Sequence, residues 1–247
     1  FLARAQGSID STNRVTYFED FVTEHPHSDF SSKLLFELGD RADDQQEFAK
    51  AQDYYSRAIK LGLSQKEAPR AYYWMAEAAA SNGENQQARA DFLTLADKYP
   101  RSEWAPKALY ARGRLYLSEN KYDSSTVAFE VLKERYPNNE MTRRVGTALG
   151  ESYYQQGRYQ EAIEAFQNAM PYLEGDLEAK AVYLTAESYN YLGKFDQASS
   201  SYLKYINLTK GTDKVRNAHY GLGWVYHKQE IYHWAADEFA KAAKGSD

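Results

Sequence analysis

The sequence predicts an all-α fold in which pairs of antiparallel helices follow one another as copies of one unit. The first observation is an aromatic residue that recurs at intervals of 36 or 37 residues through most of the chain. The second is that all six prolines fall at the boundaries between units, where they interrupt no helix interior. The third is composition, since 43% hydrophobic and 26% charged residues with only 14 glycines are typical of a folded helical chain.

The second helix of each predicted unit carries a small residue and, four positions later, the recurring aromatic residue. The six copies are Ala51/Tyr55, Ala88/Phe92, Ser125/Phe129, Ala162/Phe166, Ala198/Tyr202 and Ala235/Phe239. A partial copy comes first, with Phe18 at the aromatic position. The small side chain lets the two helices of a unit approach closely, and the aromatic ring fills the space beside the next pair. Fixed spacing over this many copies is the signature of a repeat array.

In the last four units, a tyrosine nine residues before the small residue places the first helix. This tyrosine recurs as Tyr116, Tyr153, Tyr189 and Tyr226. The helical period around it predicts first helices over residues 30–43, 68–81, 104–118, 141–155, 177–191 and 214–228. Within the fourth unit, the polar segment Gln156-Gly157-Arg158 predicts the turn that joins the two helices.

The links between units contain a proline and, two residues later, a capping residue. Pro26, Pro100 and Pro137 are predicted to end a second helix, and Ser28, Ser102 and Asn139 to cap the first helix of the next unit. The resulting single array is a leading half unit over 1–28 and repeats over 29–67, 68–102, 103–139, 140–175, 176–212 and 213–247. Because the chain opens at Phe1 inside a half unit, we expect it to be part of a longer protein.

The unit reads LGxxYxxxGxYxxAxxxFxxA, and this pattern resembles the tetratricopeptide repeat over nearly the whole chain. The resemblance implies a right-handed superhelix, an α-solenoid of antiparallel helix pairs, that acts as a non-catalytic protein–protein interaction scaffold. Its partner would be a protein or peptide bound in the concave groove. The scaffolds of this family that clamp an acidic chaperone tail use Lys and Asn at two groove positions. Here the same positions hold Phe36/Asp40 and Tyr73/Glu77, so that use does not carry over.

The period is longer than the usual 34 or so residues, and the additional residues lie in links that read "YPRSEW" and "YPNNEM". This lengthened link is similar to the tetratricopeptide subfamily of bacterial envelope proteins, such as the outer-membrane assembly lipoprotein BamD and the Tol-Pal-associated protein CpoB. That similarity implies an alternative role as a structural or assembly component of a cell-envelope complex. It favours the periplasm or cell envelope as the location and leaves the cytoplasm open.

In this family a second stripe of the first helix lines the concave groove. On that stripe the chain carries a basic row, an aromatic row and a mostly acidic row. The basic row is Lys33, Arg70, Lys107, Arg144, Lys180 and, in the last unit, the uncharged Asn217. The acidic row is Asp40, Glu77, Glu151 and Glu187, with Arg114 and Trp224 in place of acids in the other two units. Regular aromatic side chains flanked by both charges suit a bound peptide. The predicted partner-binding residues are Phe36, Tyr73, Tyr110, Arg114, Glu151, Tyr154, Tyr183, Glu187, Tyr220 and Trp224.

A structural interpretation of the same rows remains open. The basic residue of one unit could pair with the acidic residue of its neighbour, and such exposed ion pairs contribute little to stability. The tyrosines could equally wedge between adjacent helices. Both interpretations account for the spacing, and they differ in whether the side chains are free to meet a partner.

Composition weighs against several other functions. The net charge of −5, without a basic run, argues against nucleic acid, and no apolar run is long enough to insert into a membrane. The chain has no cysteine, and no cofactor motif or metal site is predicted. His219 and His227 are too far apart for a helical zinc pair, and we interpret them and His233 as surface residues. The paired acids Asp43-Asp44 are predicted to lie in a solvated turn, so no enzymatic activity is expected.

Overall fold

The computed structural model describes residues 11–244, and every regular element in that range is helical. The α-helices are α1 (Ser11–Glu24), α2 (Asp29–Asp44), α3 (Phe48–Leu61), α4 (Ala68–Ser81), α5 (Asn85–Lys98), α6 (Trp104–Ser118), α7 (Tyr122–Arg135), α8 (Glu140–Gln155), α9 (Tyr159–Ala169), α10 (Gly175–Tyr191), α11 (Phe195–Leu208), α12 (Val215–Lys228) and α13 (Tyr232–Lys244). A short 3₁₀ turn, Met170–Tyr172, follows α9. The all-α prediction is confirmed over this range.

The chain divides into two compact units, Phe1–Leu115 and Tyr116–Asp247. Within the first, α1 packs on α2, α2 on α3, α3 on α4 and α4 on α5, so that each helix packs on the next one along the chain. Within the second, the same holds from α7 to α13. Residues 1–10 of the predicted half unit and 245–247 of the last repeat lie outside the described residues. A single right-handed array over both units stays a prediction.

The first helices begin and end where the repeat spacing predicts. Helices α4 and α6 match the predicted ranges, and α2, α8, α10 and α12 differ from theirs by at most two residues at either end. The three predicted caps are also confirmed. Ser28 accepts from the amide of Phe30 at 3.3 Å, Ser102 from that of Trp104 at 3.2 Å and Asn139 from that of Met141 at 2.8 Å. Local signals therefore fix these helix starts.

The recurring aromatic residues form the interior of the stack. Tyr55, Phe92, Phe129, Phe166 and Tyr202 are among the largest fully buried side chains. Glycines on the first helix make room for them: a Cβ at Gly39 would lie 2.6 Å from the Tyr55 ring, and one at Gly150 would lie 2.6 Å from the Phe166 ring. Since real Cβ atoms do not approach so closely, these glycines set how near the two helices of a unit lie.

One predicted turn is wrong by a few residues. Asp43 and Asp44 lie at the end of α2 and not in the turn that follows it. The helix continues because the amide of Gln45 still bonds to the carbonyl of Arg41, and Gln46 then takes a positive φ of 60° to close the turn. An asparagine or glycine there would have signalled the turn; a glutamine does not.

Candidate functional site

The predicted partner-binding residues all lie on first helices, and we call this set the first-helix row. It consists of Phe36 on α2, Tyr73 on α4, Tyr110 and Arg114 on α6, Glu151 and Tyr154 on α8, Tyr183 and Glu187 on α10, and Tyr220 and Trp224 on α12. Residues four apart on a helix share a face, which is why pairs such as Tyr183 and Glu187 lie together. Arg114, Tyr220 and Trp224 are exposed, and the other members are half-buried.

In the first unit the row is held by neighbouring side chains. The ring centroid of Tyr73 lies 5.0 Å from that of Trp104 and 5.5 Å from that of Phe92. Phe36 lies 5.4 Å from the Tyr55 ring, and the Arg70 guanidinium lies 4.7 Å from the Phe36 centroid. Aromatic pairs in this range stabilise packing. Tyr73 and Phe36 therefore have the wedge geometry of the structural interpretation.

Two basic residues pair with the acidic residue of the preceding repeat, and we call these contacts cross-repeat ion pairs. Arg70 Nη2 lies 3.1 Å from Asp40 Oδ2 in the first unit. Lys180 Nζ lies 2.7 Å from Glu151 Oε2 in the second. Other members of the basic row go elsewhere: Lys33 pairs with Glu67 at 3.8 Å, Arg144 with Glu140 at 2.8 Å, and Lys107 lies 4.2 Å from the Trp104 centroid.

The acidic row has a second kind of partner that sequence reasoning missed. The buried Tyr55 hydroxyl donates to Asp40 Oδ1 at 2.8 Å, and the buried Tyr202 hydroxyl donates to Glu187 in the same way. Burial raises the pKa of both tyrosines, and the charge of the acid raises it further. Burial also raises the pKa of Asp40, against the Tyr55 hydrogen bond and the Arg70 charge. The signal was present, because Tyr55 and Tyr202 stand where the other four units carry phenylalanine.

Glu77 has no such tyrosine on its second helix, where Phe92 stands. Instead it takes a hydrogen bond from Tyr73, one helical turn earlier, which lowers its pKa. Burial is the larger influence, and it raises the pKa of Glu77 above its usual range. Burial and the nearby Glu77 charge together raise the pKa of Tyr73. The Glu77 charge thus favours the neutral form of Tyr73, whereas the Tyr73 hydrogen bond favours the ionised form of Glu77 against the effect of burial.

Five tyrosines of the second unit surround Glu187, and we call this set the Glu187 cluster. Its members are Glu187, Tyr154, Tyr159, Tyr183, Tyr191 and Tyr202. The Tyr159 and Tyr191 rings are stacked, with centroids 4.5 Å apart and planes 4° from parallel. The Tyr154 ring meets them edge-on at 5.7 and 6.3 Å. Burial raises the pKa of Tyr154 and Tyr183, and the charge of Glu187 raises both further.

The last repeat presents the most exposed part of the row. Tyr220 is 55% exposed and Trp224 is 41% exposed. Their rings meet edge-on at 6.2 Å, and each also contacts Phe239 on α13, at 5.8 and 5.7 Å. The two side chains are therefore held in place by packing on Phe239, and their remaining surface is exposed to solvent. Such a surface is suited to contact with another polypeptide.

The interpretation of His219 as a surface residue is wrong. His219 Nδ1 lies 2.6 Å from Glu238 Oε2, and that buried carboxylate also takes an ion pair from Lys241 at 2.6 Å. The sequence held a signal, because His219 lies seven residues before Tyr226, on the face of α12 that carries the recurring tyrosine. His227 and His233 are exposed, as expected.

The row offers aromatic faces and carboxylates. Between residues 11 and 244, no group of three or more His, Asp or Glu side chains is placed to hold a metal ion. Over the same residues, none of the helices combines the length and apolarity needed to span a bilayer.

Comparison with known proteins gives the same repeat. Family models described as tetratricopeptide repeat match residues 36–103, 107–139 and 147–170. No curated protein sequence matches the chain.

Several solved structures share the fold. The C-terminal part of a repeat-containing protein from Cytophaga hutchinsonii has a TM-score of 0.67 at 15% identity, covering 85% of this chain and 78% of that one. A tetratricopeptide repeat protein from Parabacteroides merdae has a TM-score of 0.55 at 21% identity, covering 96% and 87%. MamA from Desulfovibrio magneticus has a TM-score of 0.61 at 17% identity, covering 73% and 96%. These likenesses show the fold, a solenoid of helix pairs.

Proposed function

We propose, because the chain contains tetratricopeptide repeats, that it is a non-catalytic scaffold that binds a protein or peptide through its first-helix row. The observation that carries this proposal is the exposed pair Tyr220 and Trp224, two large aromatic side chains one turn apart on α12. Exposed aromatic residues on a rigid helix are the usual anchors of protein interfaces. The acidic net charge of −5 is consistent with a polypeptide partner and not with nucleic acid.

The test is a double variant, Tyr220→Ala with Trp224→Ala, compared with the parent chain. Each protein is used to capture partners from an extract of the source organism, and the affinity of the captured partner is then measured. Truncating buried interface anchors commonly costs about 2 kcal/mol or more of binding free energy. We expect the double variant to lose the partner while its helical content stays close to that of the parent.

Trp234→Ala is the matched control. Trp234 is 49% exposed, a value close to that of Trp224, but it lies on α13 outside the row. The control should bind like the parent. Equal binding by the parent, the control and the double variant would show that the partner uses another surface.

Tyr73 is a poorer test of binding than its spacing suggested. Spacing alone suggests a change of Tyr73 and Tyr110 to Ala as a test of the row. Because the Tyr73 ring packs on Trp104 and Phe92, its loss should lower the melting temperature. If the variant keeps the melting temperature of the parent, Tyr73 does not contribute to packing and its side chain is free to contact a partner.

A second candidate is a structural or assembly role in a bacterial cell-envelope complex of the outer-membrane or Tol-Pal type. It rests on the sequence of the links, in which Pro100 and Pro137 each follow a tyrosine and Ser102 and Asn139 come two residues later, a pattern similar to that of bacterial envelope proteins with this repeat. Fractionation of cells that express the full-length gene is the test. Recovery with the periplasm or outer membrane supports this role, and recovery in the cytoplasm contradicts it.

A further inference from the structure

The cross-repeat ion pairs follow a simple rule. In the first unit, Asp40 receives Arg70, which comes 30 residues later. In the second, Glu151 receives Lys180, which comes 29 residues later. In both cases the cation belongs to the basic row, on the first helix of the next repeat. Asp40 and Glu151 therefore obtain their counter-charge from the repeat that follows, whereas Glu77 does not, because Lys107 lies against Trp104.

Glu187 breaks this rule. The corresponding position of the next first helix is Asn217, an exposed residue without charge. Within residues 11–244, Glu187 forms no ion pair with a lysine, arginine or histidine, and its hydrogen bonds come from tyrosine hydroxyls. A carboxylate has about four lone-pair sites, so the two tyrosines leave it able to accept more. The half-buried Glu187 side chain is thus hydrogen-bonded by tyrosines but has no cationic side chain beside it among the described residues.

The rings around Glu187 suit a cation. The negative face of an aromatic ring attracts lysine or arginine within about 6 Å, most strongly where water is excluded. Tyr159 and Tyr191 are stacked, so each ring keeps one outer face, and Tyr191 is 59% exposed. Tyr154 meets them edge-on, beside the carboxylate. The Glu187 cluster therefore places aromatic ring faces close to an acid that has no ion-pair partner, and both features attract a cation.

Resting on the scaffold function proposed above, we propose that the Glu187 cluster receives a cationic side chain, arginine or lysine, of an extended partner peptide. The cationic side chain of the peptide would pair with Glu187 in the way that Arg70 pairs with Asp40. Glu187 supplies the opposite charge, and the tyrosine rings supply the faces on which the aliphatic stem and the cation lie. Basic partners are also favoured by the net charge of −5.

The probe is a fluorescein-labelled peptide of alternating arginine and glycine, with a second peptide in which citrulline replaces arginine. Citrulline keeps the shape of arginine and removes its charge. Binding to the 247-residue chain is followed by fluorescence anisotropy. We expect the citrulline peptide to bind about tenfold more weakly, the change that corresponds to losing one charge-assisted hydrogen bond.

Three variants separate the cluster from general electrostatics, since each raises the net charge by one. Glu187→Gln removes the acid, and Asn217→Lys supplies an internal cation in its place. Glu174→Gln is the control, because Glu174 is exposed and its side chain forms no hydrogen bond or ion pair within residues 11–244. We expect the first two variants to weaken binding of the arginine peptide about tenfold, and the control to bind like the parent.

Equal binding of the arginine peptide by the parent, Glu187→Gln and Asn217→Lys would overturn the inference, and so would equal binding of the two peptides by the parent. Helical content and melting temperature are measured for each variant. If Glu187→Gln unfolds, the exposed Asn217→Lys change decides the result by itself. A partner that is lost with Tyr220→Ala and Trp224→Ala but kept by both cluster variants would leave the scaffold function standing while this inference fails.

Discussion

Asp40 in the first unit and Glu187 in the second have the same place in their repeats but different surroundings. Each accepts a hydrogen bond from a buried tyrosine fifteen residues later, Tyr55 or Tyr202. Asp40 is also neutralised by Arg70 at 3.1 Å. Glu187 has Tyr183 as its further partner, and Asn217 stands where the arginine would be.

The difference shows how one repeat unit supports either packing or recognition. Both places have an acid that is hydrogen-bonded to a buried tyrosine of the same repeat. This hydrogen bond therefore joins the two helices of a unit. The residue that decides whether the acid is available comes from the next unit. Arg70 supplies a counter-charge to Asp40, whereas Asn217, at the corresponding place for Glu187, supplies none.

The largest expected effect comes from removing the two tyrosine hydroxyls. Tyr55→Phe and Tyr202→Phe keep the buried rings but take a hydrogen bond from a charged acceptor, which is worth about 1.5 to 3 kcal/mol. We expect the loss at Tyr202 to be the greater, because Asp40 keeps Arg70 while Glu187 has no cation within the described residues. Urea unfolding followed by circular dichroism measures both. A greater loss at Tyr55 would mean that Arg70 does not stabilise Asp40.

Much of the fold could be predicted because its signals are local or strictly periodic. The caps at Ser102 and Asn139 depend on the two residues that follow each of them, and the buried aromatic residues recur at fixed spacing. The sequence could not predict whether Tyr73 packs against Trp104. Residue spacing shows which face of a helix a side chain lies on, but it does not show how closely the next helix covers that face.

The Glu187 cluster could not be predicted as a site for the same reason. Tyr159 begins α9 and Tyr191 ends α10, so their stacking depends on how two successive repeats lie together. The sequence offered Tyr159 only as a turn-flanking residue and did not single out Tyr191. The absence of a cation at Asn217 was visible in the basic row, but it gained meaning only once the pairs at Arg70 and Lys180 had been seen.

A smaller effect is expected from Glu77, the acid whose hydrogen bond comes from its own helix. Burial raises its pKa above the usual 4.5, so the unfolded chain releases this proton at a lower pH than the folded chain. Stability therefore falls as pH rises from the ordinary value through the raised one. Glu77→Gln removes this dependence. We expect the variant and the parent to melt alike at low pH and the variant to melt higher at pH 7.

Glu24→Gln, a change at an exposed glutamate of α1, is the control for this measurement. It should leave the difference between the two pH values as it is in the parent. A Glu77→Gln variant that melts lower than the parent at pH 7 would show that the Tyr73 hydrogen bond outweighs the cost of burying the charge.

The smallest expected effect on stability comes from Arg70→Asn, which gives Asp40 the neighbour that Glu187 has. The Arg70 and Asp40 side chains are 49% and 38% exposed, so the pair should contribute about 1 kcal/mol or less. Its binding effect should be larger, because Asp40 would become an acceptor without a cation. In a titration with the arginine peptide, we expect this variant to show an additional binding event that the parent lacks. An unchanged titration would mean that the missing cation alone does not make a site, and that the stacked pair of Tyr159 and Tyr191, which Asp40 lacks, is required as well.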